Sequence, residues 1–501
     1  MAPFDIPPAA PVVSASVSTP AAAVSASRDI FVFHDACVLG TYLNVSVRAD
    51  GQAGAHAAAC AGRVEIDRLD RVFNWRDSKS EISRLNQADR LVVSADLLQV
   101  LAMAERWRAI SGGALSGRMG LLLDRWRNAR ETPDRRRMAR LAADVEAAVV
   151  GLDAATRTIT RPANVRFDLD AMAKGYIIDR ALDAVMRVGG VTGAMLDIGG
   201  DLRCAGEGPD AGRWRIGLPD PLSVFDNGQT CGAFDLRDAA IATSGCGPRD
   251  IGADGRVRSA TLDPRNGWPV AHARSATAIA PSAMEADALA TAMLVMGPDE
   301  ARKMMKSLPG VSARVAQPGG VEWFGGAQPH WVEYAPQPQA GQGSGASSLW
   351  KQGWHANITF EAPPKDMRRE IAFRSPYVVI WVSDEQNRPI RTLLLIGRYK
   401  EWHEGNHIWW RLNRTKVDNF FAGRSMSTRG SGTYKVYWDG SDDAGATVAP
   451  GRYRLHVETS RESGGHEHRV LPVDFSQPRA FEAELPINAS SGGLLVSFEK
   501  F

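Results

Sequence analysis

One stretch, Phe167 to Asp201 (FDLDAMAKGYIIDRALDAVMRVGGVTGAMLDIGGD), constrains the fold of this chain more than any other. It opens extended through Phe167-Asp168-Leu169 and then turns over Ala171 to Gly175. Ile177, Ile178, Ala181, Leu182 and Val185 recur at helical spacing, which predicts a helix over Tyr176 to Met186. Gly189-Gly190 ends that helix, and Ala194 to Ile198 reads as a strand running into Gly199-Gly200-Asp201. Lys174-Gly175 falls where the turn meets the helix start. Free N–H groups, a positive dipole end and an ammonium at such a place suit an anion such as a phosphate. Taken alone, a Lys-Gly pair there is more often a solvated turn, so the rest of the chain has to supply the context.

A chain of 501 residues has room for two or three domains. Residues 1–28 are rich in Pro, Ala, Ser and Val without periodicity, and predict a disordered tail. That tail has no basic n-region and prolines interrupt it, so it makes a poor signal peptide and leaves a cytoplasmic location open. Residues 29–334 mix elements: a strand over Tyr42 to Val47, a helix over Ala55 to Phe73 and an amphipathic helix over Leu97 to Ile110. Ser78 or Ser80 can cap a helix between the last two. Leu121 to Trp126 and Arg136 to Val149 read as helical, and strands dominate after residue 194. The mixture lacks regular βαβ alternation and predicts an α+β domain.

Composition removes several function classes. Fifty-nine basic against 57 acidic residues leave a net charge of +2, so no strong field favours nucleic acid or an anionic membrane. Arg135-Arg136-Arg137 reads as a wet helix face. No apolar run is long enough to span a bilayer, which predicts a soluble chain. Five cysteines without a C-x-x-C argue against a structural zinc site, and the odd count leaves at least one thiol without an intrachain partner.

A second cluster begins at Pro281, after which Ser282 to Met293 is helical by composition. Asp287 and Thr291 are four apart and share a face. A carboxylate and a hydroxyl so placed suit a hard cation such as Mg²⁺, which takes oxygen ligands. A bare D-x-x-x-T is more often a buried threonine beside a solvated aspartate.

Seven motifs follow one linear order: Gly40-Thr41, Ser80-Glu81-Ile82-Ser83-Arg84-Leu85-Asn86, Asp168 to Gly175, Ile198-Gly199-Gly200-Asp201, Ala242-Thr243-Ser244-Gly245, Asp263-Pro264-Arg265-Asn266-Gly267, and Glu285 to Thr291. In this order residues 35–315 resemble the ApbE-type FAD:protein FMN transferases, which cleave FAD and attach FMN to a Thr or Ser of a protein. The resemblance implies Mg²⁺ held by Asp287, Thr291 and the carbonyl of Ala171. It implies FAD lying against Leu39, Trp75, Ala114-Leu115-Ser116, Asp168, Lys174 and the main chain at Leu262. It implies an acceptor flavoprotein subunit as partner, and a periplasmic location.

Two departures stand out. The family has a histidine at the place of Ala260, a proton acceptor for the attacking hydroxyl, and a carboxylate at the place of Ser116. Loss of a general base costs typically about 10²–10⁴-fold. Asp263 or Asp201 could take over as the catalytic base. The alternative is a catalytically weakened FAD-binding or scaffold protein.

Residues 335–349 (APQPQAGQGSGASSL) read as a linker. After it, residues 350–501 show short alternating strands at 356–360, 377–382, 391–395, 434–438 and 452–457, separated by turn residues. This predicts an all-β, immunoglobulin-like sandwich and resembles the uncharacterised domain sometimes fused to ApbE-type transferases. Asp442 to Thr447 is superficially similar to a covalent-FMN acceptor motif but reads as a structural turn. His466-Glu467-His468 could bind a metal, although an exposed loop is the commoner explanation.

Overall fold

The computed structural model describes residues 29–129, 131–219, 230–245, 251–253, 256–271, 275–317, 320–325, 331–333, 349–361, 377–396, 405–413, 425–426, 433–444, 446–460, 465–488 and 492–500. The predicted tail and residues 335–348 of the predicted linker lie outside them. The chain divides into two compact units: Met1–Asp35, Leu43–Ile216 and Phe234–Trp331 in one, Ala36–Tyr42, Gly217–Ala233 and Val332–Phe501 in the other.

The first unit is α+β, as expected. Its eight-stranded sheet runs in the order Asp29–Val38, Thr41–Ala49, Val191–Ile198, Asp201–Gly206, Ala239–Gly245, Ser275–Ala280, Ser312–Gln317 and Gly320–Phe324. Three helices, Gln52–Phe73, Asp170–Met186 and Ala283–Val295, pack side by side against it. Ala283–Val295 is apolar nearly all round and almost wholly buried, as a helix facing neighbours on every side must be. Asp287 is the one charge it buries.

Two glycines let these helices approach. A Cβ on Gly62 would meet Val185 Cγ2 at 2.8 Å, and one on Gly175 would meet the Ala283 carbonyl oxygen at 2.4 Å. Gly175 therefore sits inside a helix rather than ending a turn. The turn expected over Ala171 to Gly175 is a correction: the helix starts at Asp170, with Met172 and Ala173 N–H already bonded to the Leu169 carbonyl. Lys174 is accordingly in the body of the helix. In the turn before it, the Asp170 N–H is taken by Asp168 Oδ1 and those of Met172 and Ala173 by the Leu169 carbonyl.

In the second unit a four-stranded sheet (Thr433–Trp438, Trp354–Glu361, Gly492–Lys500, Phe481–Asn488) and a five-stranded sheet (Ser425–Met426, Pro389–Ile396, Tyr377–Ser383, Arg452–Ser460, His466–Asp474) share one core. Ala356, Ile358 and Phe360 face Val378, Ile380, Val382, Leu455 and Val457 across it. The all-strand character is as expected, apart from a short helix at His407–Asn413. Nothing in the described strand order singles out an immunoglobulin topology.

Tyr377–Ser383 is buried at every position. Period-2 alternation sends Val378, Ile380 and Val382 to the shared core, and Val379 and Trp381 to a separate cluster with Leu395 and Trp409. The five-stranded sheet is thus covered on its outer face by the helix that carries Trp409. The turn reading of Asp442 to Thr447 fits the Asp442 N–H bond to the Ala446 carbonyl at 2.8 Å, with Gly445 outside the described residues.

Candidate active site

The site grows from local structure at three places. Val191–Ile198 and Asp201–Gly206 pair antiparallel, with Ile198 opposite Asp201, across a two-residue turn. Gly199 and Gly200 both hold positive φ (63° and 95°), the conformation such a hairpin needs, and Asp197 Oδ1 accepts Gly200 N–H at 2.9 Å. That turn delivers Asp201, 3 % exposed, to the start of a central strand.

Ser282 caps the Ala283–Val295 helix by accepting Glu285 N–H at 3.2 Å. Asp179 accepts Ala283 and Met284 N–H at 2.8 and 3.0 Å, clasping the same helix start from the neighbouring helix. Burial pushes its pKa up to about 6 against these bonds and nearby Arg203. Together they fix where Asp287 and Thr291 stand.

The third place is Ser80 to Asn86. Ser80 is the cap, accepting Ser83 N–H at 3.2 Å. Glu81 accepts Ser94 N–H at 2.5 Å, which ties on the next helix. Asn86 exchanges two bonds with the Phe167 backbone, both 2.8 Å, and so places Asp168.

Asp287, Asp201 and Lys174 converge. Lys174 Nζ is ion-paired with Asp201 Oδ2, and Asp201 Oδ1 accepts Thr243 N–H at 3.1 Å. Asp287 lies against the Gly175 backbone, and among the described residues its Oδ2 is buried with no hydrogen-bond partner. Burial, then the Asp201 carboxylate, drives the Asp287 pKa well above the usual carboxylate range, against the pull of Lys174. Thr291 Oγ1 lies 3.0 Å from Ser244 Oγ. An orphaned carboxylate oxygen amid oxygen donors is the chemistry of a hard cation. Ala171 lies one turn before Gly175 on the same helix.

Asp168 belongs to a second network. Its Oδ2 accepts Arg127 Nη2 at 3.1 Å, and burial followed by Asp170 raises its pKa to about 6 against that guanidinium. Trp75 Nε1 donates to Asp170 Oδ2 at 3.1 Å, while Arg76 and Arg127 each stack 4.2 Å from the Trp75 ring. A cleft of about 290 Å³ opens here, lined by Trp75, Arg76, Ser83, Asn86 and Arg166 among others.

The Ala114-Leu115-Ser116 loop is buried and reaches this network, since the next residue, Gly117, accepts Asp168 N–H at 2.9 Å. Ser116 Oγ accepts Arg118 N–H at 3.2 Å. The Leu262 side chain is buried among Met119, Leu122, Trp126 and Met138, leaving only its main chain for a ligand. Asp263 takes four donors: Arg265 N–H and Nε at 2.9 Å on Oδ1, Arg265 Nη2 at 2.9 Å and Asn266 Nδ2 at 3.2 Å on Oδ2. Leu39, in the second compact unit, holds a left-handed turn (φ 51°) before Gly40.

Three contributors escaped the sequence reading of roles. Asn86 and Ser244 fell inside recognised motifs, but nothing in their spacing showed what they touch. Asp179 carried one readable signal, its place one turn after Gly175.

The ApbE family matches residues 39–315, more than half of the chain. The chain belongs to the ApbE family. Similar proteins named FAD:protein FMN transferase come from Klebsiella pneumoniae (26 % identical over 305 residues, 58 % of this chain and 85 % of the relative) and Vibrio cholerae (31 % over 248 residues, 47 % and 73 %). The crystal structure of the ApbE protein from Thermotoga maritima is 26 % identical with a TM-score of 0.52, covering 58 % of this chain and 96 % of that one. A second family, described as a predicted periplasmic protein (DUF2271), matches residues 357–490. Among the described residues of this ApbE protein, no helix is long and apolar enough to cross a membrane.

Proposed function

We propose that this ApbE protein transfers FMN from FAD to a Thr or Ser hydroxyl of an acceptor flavoprotein, in a Mg²⁺-dependent reaction that releases AMP. The observation that carries the reading is the buried Asp287 Oδ2, without a hydrogen-bond partner among the described residues, beside the Lys174–Asp201 pair, in a chain whose relatives are named FAD:protein FMN transferase. Asp287, Thr291 and the Ala171 carbonyl would hold the cation, which when bound neutralises charge on the pyrophosphate. Lys174 and Asp168 would lie against FAD, with Trp75, the 114–116 loop and the Leu262 main chain as further contacts. A flavin ring stacked on Trp75 competes with Arg76 or Arg127 for the indole face.

The acceptor oxygen bonds to the FMN-side phosphorus, the bond to AMP breaks, and the hydroxyl proton passes to a base. Of the two carboxylates able to take it, Asp201 is the better. Asp263 spends both oxygens on four donors, whereas each Asp201 oxygen has one described partner. The domain division at residues 335–349 belongs to the same proposal. So does a periplasmic setting, supported by the description of the second family.

Ala260 favours the weaker reading, an FAD-binding protein with slow transfer. Incubation of the full chain with FAD, Mg²⁺ and a flavinylatable protein, followed by mass measurement, separates the two. We expect slow transfer, and Ala260→His to raise its rate about tenfold or more with little change in FAD affinity. No transfer by either protein with FAD still bound would leave the scaffold reading.

A further inference from the structure

His466 opens an edge strand rather than lying in a loop, and this gives the His-rich segment a geometry. Arg452–Ser460 pairs with His466–Asp474 so that Glu458 faces His468, Ser460 faces His466 and His456 faces Val470. Residues two apart share a face, so His456, Glu458, His466 and His468 project together. Glu458 and His466 are diagonal neighbours, as are His456 and His468, within reach of long side chains. Leu455 and Val457 point into the shared core, which puts the histidines on the outer face, beneath helix His407–Asn413.

That helix brings a third group. Ligand atoms of His407, Glu458 and His466 all lie within 4.8 Å of one another. Glu458 is fully buried and held by Ile408 N–H on Oε1 at 2.9 Å and Trp409 N–H on Oε2 at 2.8 Å. His466 Nε2 is 2.6 Å from Glu458 Oε1, and the His407 and His466 ring centroids are 3.8 Å apart. Behind them Trp381 stacks on His456 at 4.6 Å, and Ser383 Oγ meets His456 Nε2 at 2.7 Å. Two solvent-facing imidazoles thus converge on one buried carboxylate whose orientation is set by backbone N–H groups.

We propose that His407, Glu458 and His466 form a binding site for a divalent transition metal, with Zn²⁺ the ion their chemistry suits. Two imidazoles and a carboxylate are a set that zinc uses where a fourth position stays open. The Ile408 and Trp409 N–H groups supply the outer-shell orientation such a site needs. Imidazole donors disfavour Mg²⁺ and Ca²⁺, which separates this site from the all-oxygen donors around Asp287. The exposed rings leave an entry path. The inference does not rest on flavin chemistry.

The test is calorimetric titration of the chelator-stripped full chain with Zn²⁺ in excess Mg²⁺, which occupies the oxygen site without competing for imidazole. One equivalent of Zn²⁺ should bind. His407→Ala and His466→Ala should each weaken it by more than the roughly 10–100-fold cost of losing an outer-shell partner. Glu458→Gln, which keeps an acceptor for the helix N–H groups, should do the same while circular dichroism stays native. Co²⁺ should give visible absorption bands that vanish in the three variants. Absence of a one-equivalent phase, or unchanged affinity in the folded histidine variants, would reduce the cluster to a Glu458–His466 hydrogen bond and overturn the proposal.

Discussion

Asp287 and Glu458 are both buried carboxylates, one in each unit, and they meet the cost of burial in opposite ways. Glu458 has a partner for each oxygen: two backbone N–H groups and the His466 ring. Asp287 keeps one oxygen without a partner among the described residues and sits next to a second carboxylate. An unpaired buried charge is costly, and a group so placed stays protonated or waits for a cation. Glu458 contributes to holding the second unit together. Asp287 is held in place by the first unit at a cost.

The largest effect should come from breaking the satisfied group. Glu458→Ala leaves the Ile408 and Trp409 N–H groups and His466 without their acceptor, and frees the helix that buries Trp409. Urea unfolding should show a loss of about 3–5 kcal/mol for the second unit. A loss below about 1 kcal/mol would mean that the two carboxylates are not so different.

A smaller effect of opposite sense should come from Asp287→Asn. The folded-state pKa of Asp287 lies above its unfolded value, so the native chain keeps a proton that the unfolded chain releases. Its contribution to stability is therefore full below about pH 4 and is lost as pH rises toward the folded pKa. Asp168 and Asp179, each raised to about 6, act in the same direction between about pH 4 and 6. Without metal, Asp287→Asn should lose less stability than the parent between pH 4 and neutrality. An unchanged slope in unfolding titrations would show that Asp287 is already compensated in the metal-free chain.

Much of this was legible in the sequence, for reasons that can be named. Asp287 and Thr291 are four apart on a helix, so their shared face follows from helical geometry. The alternation in residues 377–382 announced a strand, although not that both faces are buried, because the covering helix is distant in the chain. Gly175 was misleading: glycine usually punctuates a helix, but here it answers to the Ala283 carbonyl. His466-Glu467-His468 resembled a loop because an edge strand tolerates polar residues on its open side. Asn86 was silent because its partner lies 81 residues away, and the place of Asp179 after Gly175 could not show a partner 104 residues away.

The central claim is that Asp287 is a cation ligand for FAD binding, and calorimetry of FAD binding across a Mg²⁺ titration tests it most directly. The parent chain should bind FAD more tightly as Mg²⁺ rises. Asp287→Ala should remain folded and lose that dependence. If Asp287→Ala binds FAD with the parent's Mg²⁺ dependence, the cation is held elsewhere and the orphaned oxygen has another cause.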